Sequence, residues 1–264
     1  MNKGIGAGLR GAATIAVAGA SVAMLTGAMH YGRGISGPNG GKHTAATPGA
    51  PANASAENLA KNWNAVITRT DHDSYVLGNP KAKVKLVAFI SYTCPHCAAF
   101  EAESEGPLRL SFIAGGQGSL EVRNFLRDPI DLTVALLTHC GPSSKFFLNH
   151  SAFLGSQSTW IEPATHPSPM QQKRWFAGVL TTRIRYIATD FHFYQIMETR
   201  GFSRQEVDKC LADTALAKRL AEGTDKAQKD YAISGTPSFL LDNVLLAGTY
   251  SWDVLHPQIE ARAN

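Results

Sequence analysis

Two stretches of the chain carry the hydrophobic pattern of β-strands, and a helical pattern lies between them. Positions 84–91 are almost continuously apolar apart from Lys85, and positions 120–126, after a glycine-rich break, are predicted to form the next strand. A strand that is apolar along its whole length is typical of the centre of a sheet, where both faces are buried. The segment 94–114 has helical patterning with a bend at Gly106-Pro107. This order predicts a strand–helix–strand unit whose strands pair in parallel.

Further strands are predicted at the two ends of the folded region. Positions 64–70 alternate apolar and polar side chains over part of their length. Positions 238–241 and 244–247 flank Asp242-Asn243, which is a two-residue hairpin signal. A last helix is predicted over 251–263. These elements would complete a small sheet around the central strand.

Between about 130 and 233 the strand signal is weak and the helical signal is strong. Ser203-Arg204-Gln205-Glu206 matches a capping box, which marks a helix start. The proline-rich segment 162–170 is predicted to be a loop. Apolar spacing predicts helices over 130–140, 143–154, 175–199, 203–210 and 213–231. The pattern as a whole predicts an α/β fold in which an all-helical segment, about 130–233, is inserted into the sheet domain.

The N-terminal part of the chain has the composition of a targeting segment followed by a linker. Lys3 and Arg10 provide positive charge, and positions 11–29 are uncharged and rich in small apolar residues. We therefore predict a signal peptide or a membrane anchor over 1–29, and the sequence leaves both open. Residues 30–62 are rich in Gly, Pro, Ala and Ser and are predicted to be a flexible linker. The folded domain is then expected over 63–264.

The overall charge is modest and argues against a nucleic-acid partner. The 264 residues carry 25 Lys and Arg against 21 Asp and Glu, a net charge of +4, and the basic residues are dispersed. A nucleic-acid-binding surface requires clustered basic residues. We therefore expect no nucleic acid among the partners.

The chemistry of the sequence is concentrated in Cys94-Pro95-His96-Cys97, at the junction of the central strand and the following helix. Two thiols three positions apart at such a junction can form a reducible disulfide. Unpaired N–H groups at a helix N-terminus stabilise a thiolate on the first cysteine, and Pro95 suits the first helical turn. His96 adds a nearby donor. We predict Cys94 to be the exposed attacking sulfur and Cys97 to be the more buried resolving sulfur.

A single C-x-x-C pair is also compatible with half of a metal site. Structural zinc sites normally bring a second pair of ligands at short spacing, and no second C-x-x-C or H-x-x-x-H occurs in the sequence. Haem attachment requires a histidine directly after the second cysteine, where this chain has Ala98. We therefore expect thiol redox chemistry with no metal and no organic cofactor.

This arrangement resembles the bacterial DsbA family, in which a thioredoxin fold carries an inserted helical domain. The resemblance extends over roughly residues 63–264. It is carried by three segments, which are Gly78-Asn79-Pro80, the run from Cys94 to Glu101, and Gly235-Thr236-Pro237-Ser238-Phe239. It implies that Cys94 is the nucleophile, Cys97 the resolving thiol and His96 a stabiliser of the thiolate. It also implies that Thr236 and Pro237 form a cis-proline loop that faces the disulfide and binds substrate.

The resemblance implies a thiol:disulfide oxidoreductase in the periplasm, free or tethered to the inner membrane. Its substrates would be unfolded exported proteins with free thiols, and a membrane quinone-linked oxidase of the DsbB type would recycle it. A disulfide reductase or isomerase is the enzymatic alternative. A metallochaperone that binds metal through the C-x-x-C pair is the non-enzymatic one.

The sequence departs from the family pattern at two positions. Ala88 stands six positions before the first cysteine, where many family members have a buried acid that accepts a proton. Thr236 stands before the proline, where the best-known strong oxidases carry valine, so the redox direction stays open. Glu101, one turn beyond Cys97, is expected to make a surface or capping interaction.

The remaining two cysteines, Cys140 and Cys210, fall near helix ends in the inserted segment. An exported protein with two further thiols more often pairs them than leaves them free. We therefore predict a structural Cys140–Cys210 disulfide, with two buried free cysteines as the alternative.

Overall fold

The structure is a computed structural model that describes residues 61–263. The predicted targeting segment, 1–29, and all of the predicted linker before Lys61 lie outside the described residues. Across residues 61–263, no helix is long and apolar enough to cross a membrane.

Within residues 61–263, six strands form one mixed sheet in the order β1-β2-β4-β3-β5-β6. The strands are β1 Ile67–Arg69, β2 Tyr75–Gly78, β3 Val84–Ile90, β4 Gly118–Asn124, β5 Ser238–Leu241 and β6 Val244–Leu245. The central strand β3 pairs in parallel with β4 and antiparallel with β5. Every residue of β3 except Lys85 is buried. The burial of both faces and the parallel pairing confirm the predictions from the apolar pattern.

The sequence pattern does not predict β2, which pairs antiparallel with both β1 and β4. The strand has four residues, too few for a two-residue periodicity to stand out. Its end is fixed by Gly78, which has a φ of +105°. A Cβ at this position would lie 3.0 Å from the Gly118 carbonyl oxygen, so the glycine lets β2 approach β4 closely.

One helix follows β3, a long helical segment lies between β4 and β5, and a last helix follows β6. The helices are α1 Pro95–Pro107, α2 Pro129–Thr138, α3 Phe146–Gly155, α4 Gln157–Trp160, α5 Pro169–Phe176, α6 Leu180–Asp190, α7 Phe193–Thr199, α8 Arg204–Leu211, α9 Thr214–Tyr231 and α10 Trp252–Ala263. Helix α2 is the centre of the helical segment, because it is buried along most of its length and contacts α3, α5, α6, α8 and α9. The α/β architecture with a helical insertion is therefore confirmed.

Two local signals in the sequence have the structure that they predict. Ser203 caps α8, and Glu206 completes the capping box. Asp242 and Asn243 both have positive φ angles, of 50° and 66°, and join β5 to β6 as a tight hairpin.

The single helix predicted over 175–199 is wrong, because the segment is divided between α5, α6 and α7. The first break contains Gly178, with a φ of +94°, and the second contains His192 in the left-handed conformation. Apolar side chains on both sides of the breaks pack into the same core, as Trp175 against Phe191 does. The spacing of the apolar residues reflects their burial in one core, and the two turns in the backbone do not change that spacing.

Cys140 and Cys210 form a disulfide with a Cα–Cα distance of 5.6 Å. Cys140 follows α2 and Cys210 lies in the last turn of α8, so the bond ties the central helix to a helix that is 70 residues away in sequence.

We expect the double variant Cys140→Ala/Cys210→Ala to lose about 2–4 kcal/mol of unfolding free energy, because the unfolded chain is no longer restrained by a long closed loop. Urea denaturation of the wild type and the variant measures this difference. The matched control repeats the comparison in dithiothreitol, which opens the Cys140–Cys210 bond of the wild type, so the difference between the two proteins should become smaller. Equal midpoints for the Cys140→Ala/Cys210→Ala variant and the wild type would show that the bond adds no stability.

Candidate active site

The two active-site cysteines lie where β3 passes into α1. Cys94 is the N-cap residue of α1 and Pro95 occupies its first turn. The carbonyl of Cys94 accepts hydrogen bonds from the Cys97 and Ala98 amides, at 3.1 and 3.3 Å, which closes the first turn. Both cysteines are free thiols. The sulfurs are therefore held together by the start of the helix.

Cys94 is covered by a second loop, formed by Thr236 and Pro237. The sulfur of Cys94 lies 3.1 Å from the Thr236 carbonyl oxygen, to which the thiol form donates a hydrogen bond. The Thr236–Pro237 peptide bond is cis. Because of this cover, Cys94 is only 3 % exposed, against 0 % for Cys97. The expectation of an exposed Cys94 is wrong, although Cys97 is the more deeply buried of the two.

Hydrogen bonds to its sulfur lower the pKa of Cys94 to about 5. The largest contribution is the hydrogen bond from the Cys97 thiol, and burial opposes it. Thr236 and the Cys97 and His96 amides lower the pKa further. The contribution of His96 comes from its backbone amide, and its side chain is exposed. Cys94 is therefore a thiolate at neutral pH.

The neighbouring sulfur behaves in the opposite way. Burial raises the pKa of Cys97 well above its ordinary value, and the Cys94 thiolate beside it raises it further. The Ser91 amide donates to the Cys97 sulfur at 3.5 Å and partly opposes this rise. Since a thiolate is both the nucleophile and the better leaving group, the pair has one reactive sulfur and one protonated sulfur.

Gln157 is a site residue that the sequence pattern did not reveal. It begins α4 and is 4 % exposed. Its Nε2 donates to the Tyr92 and Cys94 carbonyl oxygens at 2.6 and 2.9 Å. The helical segment therefore hydrogen-bonds directly to the backbone of the active-site loop. No local signal could have identified this glutamine, because its partners are more than 60 residues away in sequence.

Glu101 is half-buried and pairs with an inserted helix, instead of making the expected surface or capping interaction. It faces α3, where the Ser151 hydroxyl donates to it at 2.6 Å and His150 Nε2 lies 3.4 Å from its carboxylate. The other ring nitrogen of His150 lies 2.9 Å from the Tyr92 hydroxyl. These contacts join α1 and the loop after β3 to α3. The expectation fails because the sequence does not show which face of α1 the inserted helices cover.

The position of Ala88 supplies no acid beneath the cysteines, and the residue is 1 % exposed. Between residues 61 and 263, no group of three or more His, Cys, Asp or Glu side chains is placed to hold a metal ion. Two adjacent sulfurs of opposite protonation can perform thiol–disulfide exchange.

Comparison with known proteins agrees with this geometry. A family model described as thioredoxin matches residues 70–261. The crystal structure of a protein-disulfide isomerase from Novosphingobium aromaticivorans is 54 % identical, with a TM-score of 0.71, and the match covers 72 % of this chain and 97 % of that one. Wolbachia pipientis alpha-DsbA1 is similar in fold, with a TM-score of 0.57 and 19 % identity over 71 % of this chain and 89 % of that one.

Relatives in Rickettsia are assigned by name to the protein-disulfide oxidoreductases. The protein of R. conorii is 28 % identical over 211 residues, which is 80 % of this chain and 68 % of the relative. The protein of R. bellii is 27 % identical over 180 residues, and the match covers 68 % of this chain and 61 % of the relative. The chain belongs to the thioredoxin family, as a thiol:disulfide oxidoreductase whose fold is like that of DsbA.

Proposed function

We propose that the protein introduces disulfide bonds into exported proteins by dithiol–disulfide exchange at Cys94 and Cys97. The observation that carries the proposal is the stabilised thiolate of Cys94, with its pKa of about 5. The hydrogen bonds that lower this pKa stabilise the reduced enzyme, and a disulfide whose reduced form is stabilised is a strong oxidant. The enzyme should therefore give its disulfide to a substrate dithiol.

The reaction begins when a substrate thiolate attacks the Cys94 sulfur of the oxidised enzyme. The Cys94–Cys97 bond breaks, and the electron pair leaves on Cys97, which takes a proton because its pKa is raised. The second substrate thiolate then attacks the substrate sulfur of the mixed disulfide. Cys94 leaves as a thiolate, so the substrate loses two electrons and the enzyme pair gains them.

The loop at Thr236 is proposed to hold the substrate peptide. It precedes β5, and its carbonyl group lies against the reacting sulfur. An extended peptide that pairs with exposed backbone next to a strand is a recurrent mode of recognition. This mode reads backbone rather than side chains, which suits an enzyme that acts on many unfolded chains. Pro237, which is buried, would fix the path of this loop.

We also propose an oxidising compartment, the periplasm, with or without attachment to the membrane. The composition of residues 1–29 and the Cys140–Cys210 bond support this location, because disulfides persist in such compartments. Substrates would be exported proteins with free thiols. A membrane quinone-linked oxidase of the DsbB type would return the Cys94–Cys97 pair to the disulfide.

Disulfide isomerisation is the second candidate, because the 54 % identical protein of N. aromaticivorans bears the name protein-disulfide isomerase. An isomerase must work from the reduced state, so the two functions differ in the stable redox state of the pair. A metallochaperone would instead hold copper or zinc on the reduced thiols, and the metal content of the purified reduced protein tests that alternative.

The redox equilibrium of the Cys94–Cys97 pair with glutathione separates oxidase from reductase. We expect a reduction potential less negative than about −200 mV, since thioredoxin, with a less acidic cysteine, lies near −270 mV. The equilibrium is followed by quenching with acid and separating the two forms. A potential near that of thioredoxin would reject the oxidase function and leave the membership of the family intact.

The Cys94 thiolate should form with a midpoint near pH 5 in the reduced protein. Thiolate absorbance at 240 nm gives this midpoint, and brief alkylation followed by mass spectrometry should find the label on Cys94. In Cys97→Ala the thiol donor is removed, so the midpoint should rise. An unchanged midpoint in this variant would show that Cys97 is not the cause of the low pKa, and preferential labelling of Cys97 in the wild type would reverse the two roles.

The stability of the reduced protein should rise with pH. The pKa of Cys94 is lower in the folded protein than in the unfolded chain, so between about pH 5 and 9 the unfolded state binds more protons, and the free energy of unfolding increases. Urea midpoints of the reduced wild type and of reduced Cys94→Ser, measured at pH 5.5 and 8, report the effect. The gain with pH should be smaller in the variant, and an equal gain in both proteins would assign it to other groups.

A further inference from the structure

Asp131 is a buried acid that the exchange reaction as described above does not use. It lies in the first turn of α2 and is 0 % exposed. Burial raises its pKa to about 7, although hydrogen bonds from Ser91 and from the Tyr92 and Arg127 amides oppose the rise. A carboxyl group that changes charge near neutral pH inside a protein core is unusual, and such groups concentrate at functional sites.

The carboxylate of Asp131 is attached to the loop between β3 and the two cysteines. The Ser91 hydroxyl donates to Oδ2 at 2.5 Å, and the Tyr92 amide donates to Oδ1 at 2.7 Å. The Arg127 amide donates to Oδ2 at 3.0 Å. The amide of Ser91 itself donates to the Cys97 sulfur at 3.5 Å. One residue, Ser91, therefore separates the buried acid from the resolving sulfur.

The neighbouring acid, Asp128, holds the same loop without reaching the sulfur. Its Oδ1 caps α2 by accepting from the Ile130 and Asp131 amides, and its Oδ2 accepts from the Thr93 hydroxyl at 2.7 Å. Asp128 is only half-buried. Both acids lie at the start of α2 and bind the same loop. They differ in burial, and of the two only Asp131 binds the hydroxyl of Ser91, whose amide donates to the Cys97 sulfur. Asp128 therefore provides a natural control.

We propose that Asp131 is a positioning residue for the exchange reaction, which holds the Ser91 amide against the Cys97 sulfur and, when charged, opposes loss of the proton from Cys97. The proposal rests on the function proposed above and concerns the fate of the mixed disulfide. Two like charges in a buried site disfavour each other strongly. A charged Asp131 therefore keeps Cys97 as a thiol.

This effect favours the forward reaction over its reversal. In the mixed disulfide, the Cys97 thiolate can attack the Cys94 sulfur, form the Cys94–Cys97 bond and release the substrate as a thiolate with its electron pair. The proton of Cys97 goes to solvent, and the substrate is returned unoxidised. If Cys97 stays protonated, the second substrate thiol has more time to complete the transfer. Asp131 would thus make the partition of the mixed disulfide depend on pH.

Several charged or titratable groups face Asp131 or the loop that it holds. Asp128 lies on the same helix and its charge raises the pKa of Asp131, whereas Arg127 contributes its amide and its side chain is exposed. Tyr92 contacts His150 of α3, which in turn pairs with Glu101 of α1. Histidine commonly titrates near neutral pH, so His150 is the rival source of a pH effect in this range.

The test measures the attack of Cys97 on a mixed disulfide at Cys94. Reduced protein mixed with 5,5′-dithiobis(2-nitrobenzoate) releases one thionitrobenzoate when Cys94 attacks and a second when Cys97 attacks. Stopped-flow absorbance at 412 nm resolves the two releases between pH 5.5 and 9. The first release reports the proposed function and the second reports the proposal for Asp131, so failure of one is distinguishable from failure of the other.

In the wild type, the rate of the second release should rise with pH and then flatten near pH 7, where Asp131 becomes charged. In Asp131→Asn the rate should match the wild type below this point and continue to rise by about tenfold per pH unit above it, because only the ionisation of Cys97 remains. The first release should change little. The change of slope near pH 7, the break in the pH profile, should remain in Asp128→Asn, which retains a capping side chain, and in His150→Gln.

Ser91→Ala supplies a second variant that keeps the acid and removes a hydrogen bond that lowers its pKa, so the break should move to higher pH. Urea midpoints identify any variant that is unfolded under the assay conditions. A break that persists unchanged in Asp131→Asn, or a rate lowered by one constant factor at every pH, would overturn the proposal. Loss of the break in His150→Gln would assign it to the histidine and would also overturn it.

Discussion

The active site depends on the interaction between its two sulfurs, which the first turn of α1 brings together. The interaction with the Cys97 thiol is the largest cause of the low pKa of Cys94. Deep burial, and then the same interaction, raise the pKa of Cys97. The two sulfurs therefore take opposite protonation states, because each affects the pKa of the other. The helix start, the Thr236 loop and the Ser91 amide change these two pKa values further.

The helices between β4 and β5 cover the sheet and also fix the backbone around the two cysteines. Gln157 at the start of α4 binds two carbonyl groups of the active-site loop. Asp131 and Asp128 at the start of α2 bind the residues that connect β3 to Cys94. On the other side, Glu101 and His150 join α1 to α3. The backbone around the cysteines is thus fixed from three directions by one helical segment, which preorganises the sulfurs for exchange.

Much of the fold follows from patterns that are local in sequence. Continuous apolar character identified β3 as a central strand, Asp242-Asn243 identified a hairpin, and Ser203 with Glu206 identified a helix start. The patterns failed where the outcome depends on distant residues. Strand β2 is too short to show a period, and the helix expected over 175–199 is interrupted by turns that leave the apolar spacing intact.

The sequence by itself determined the chemistry, because two cysteines three positions apart at a strand-to-helix junction bring two thiols together whatever surrounds them. Tertiary structure decided how deeply each thiol is buried and which distant groups contact it. Cys94 is covered by a loop that lies 142 residues away in sequence, and Glu101 is half-buried against α3, which the local pattern does not orient. Burial and hydrogen bonding set the energies of charged groups, and both are properties of the assembled core rather than of any segment of the chain.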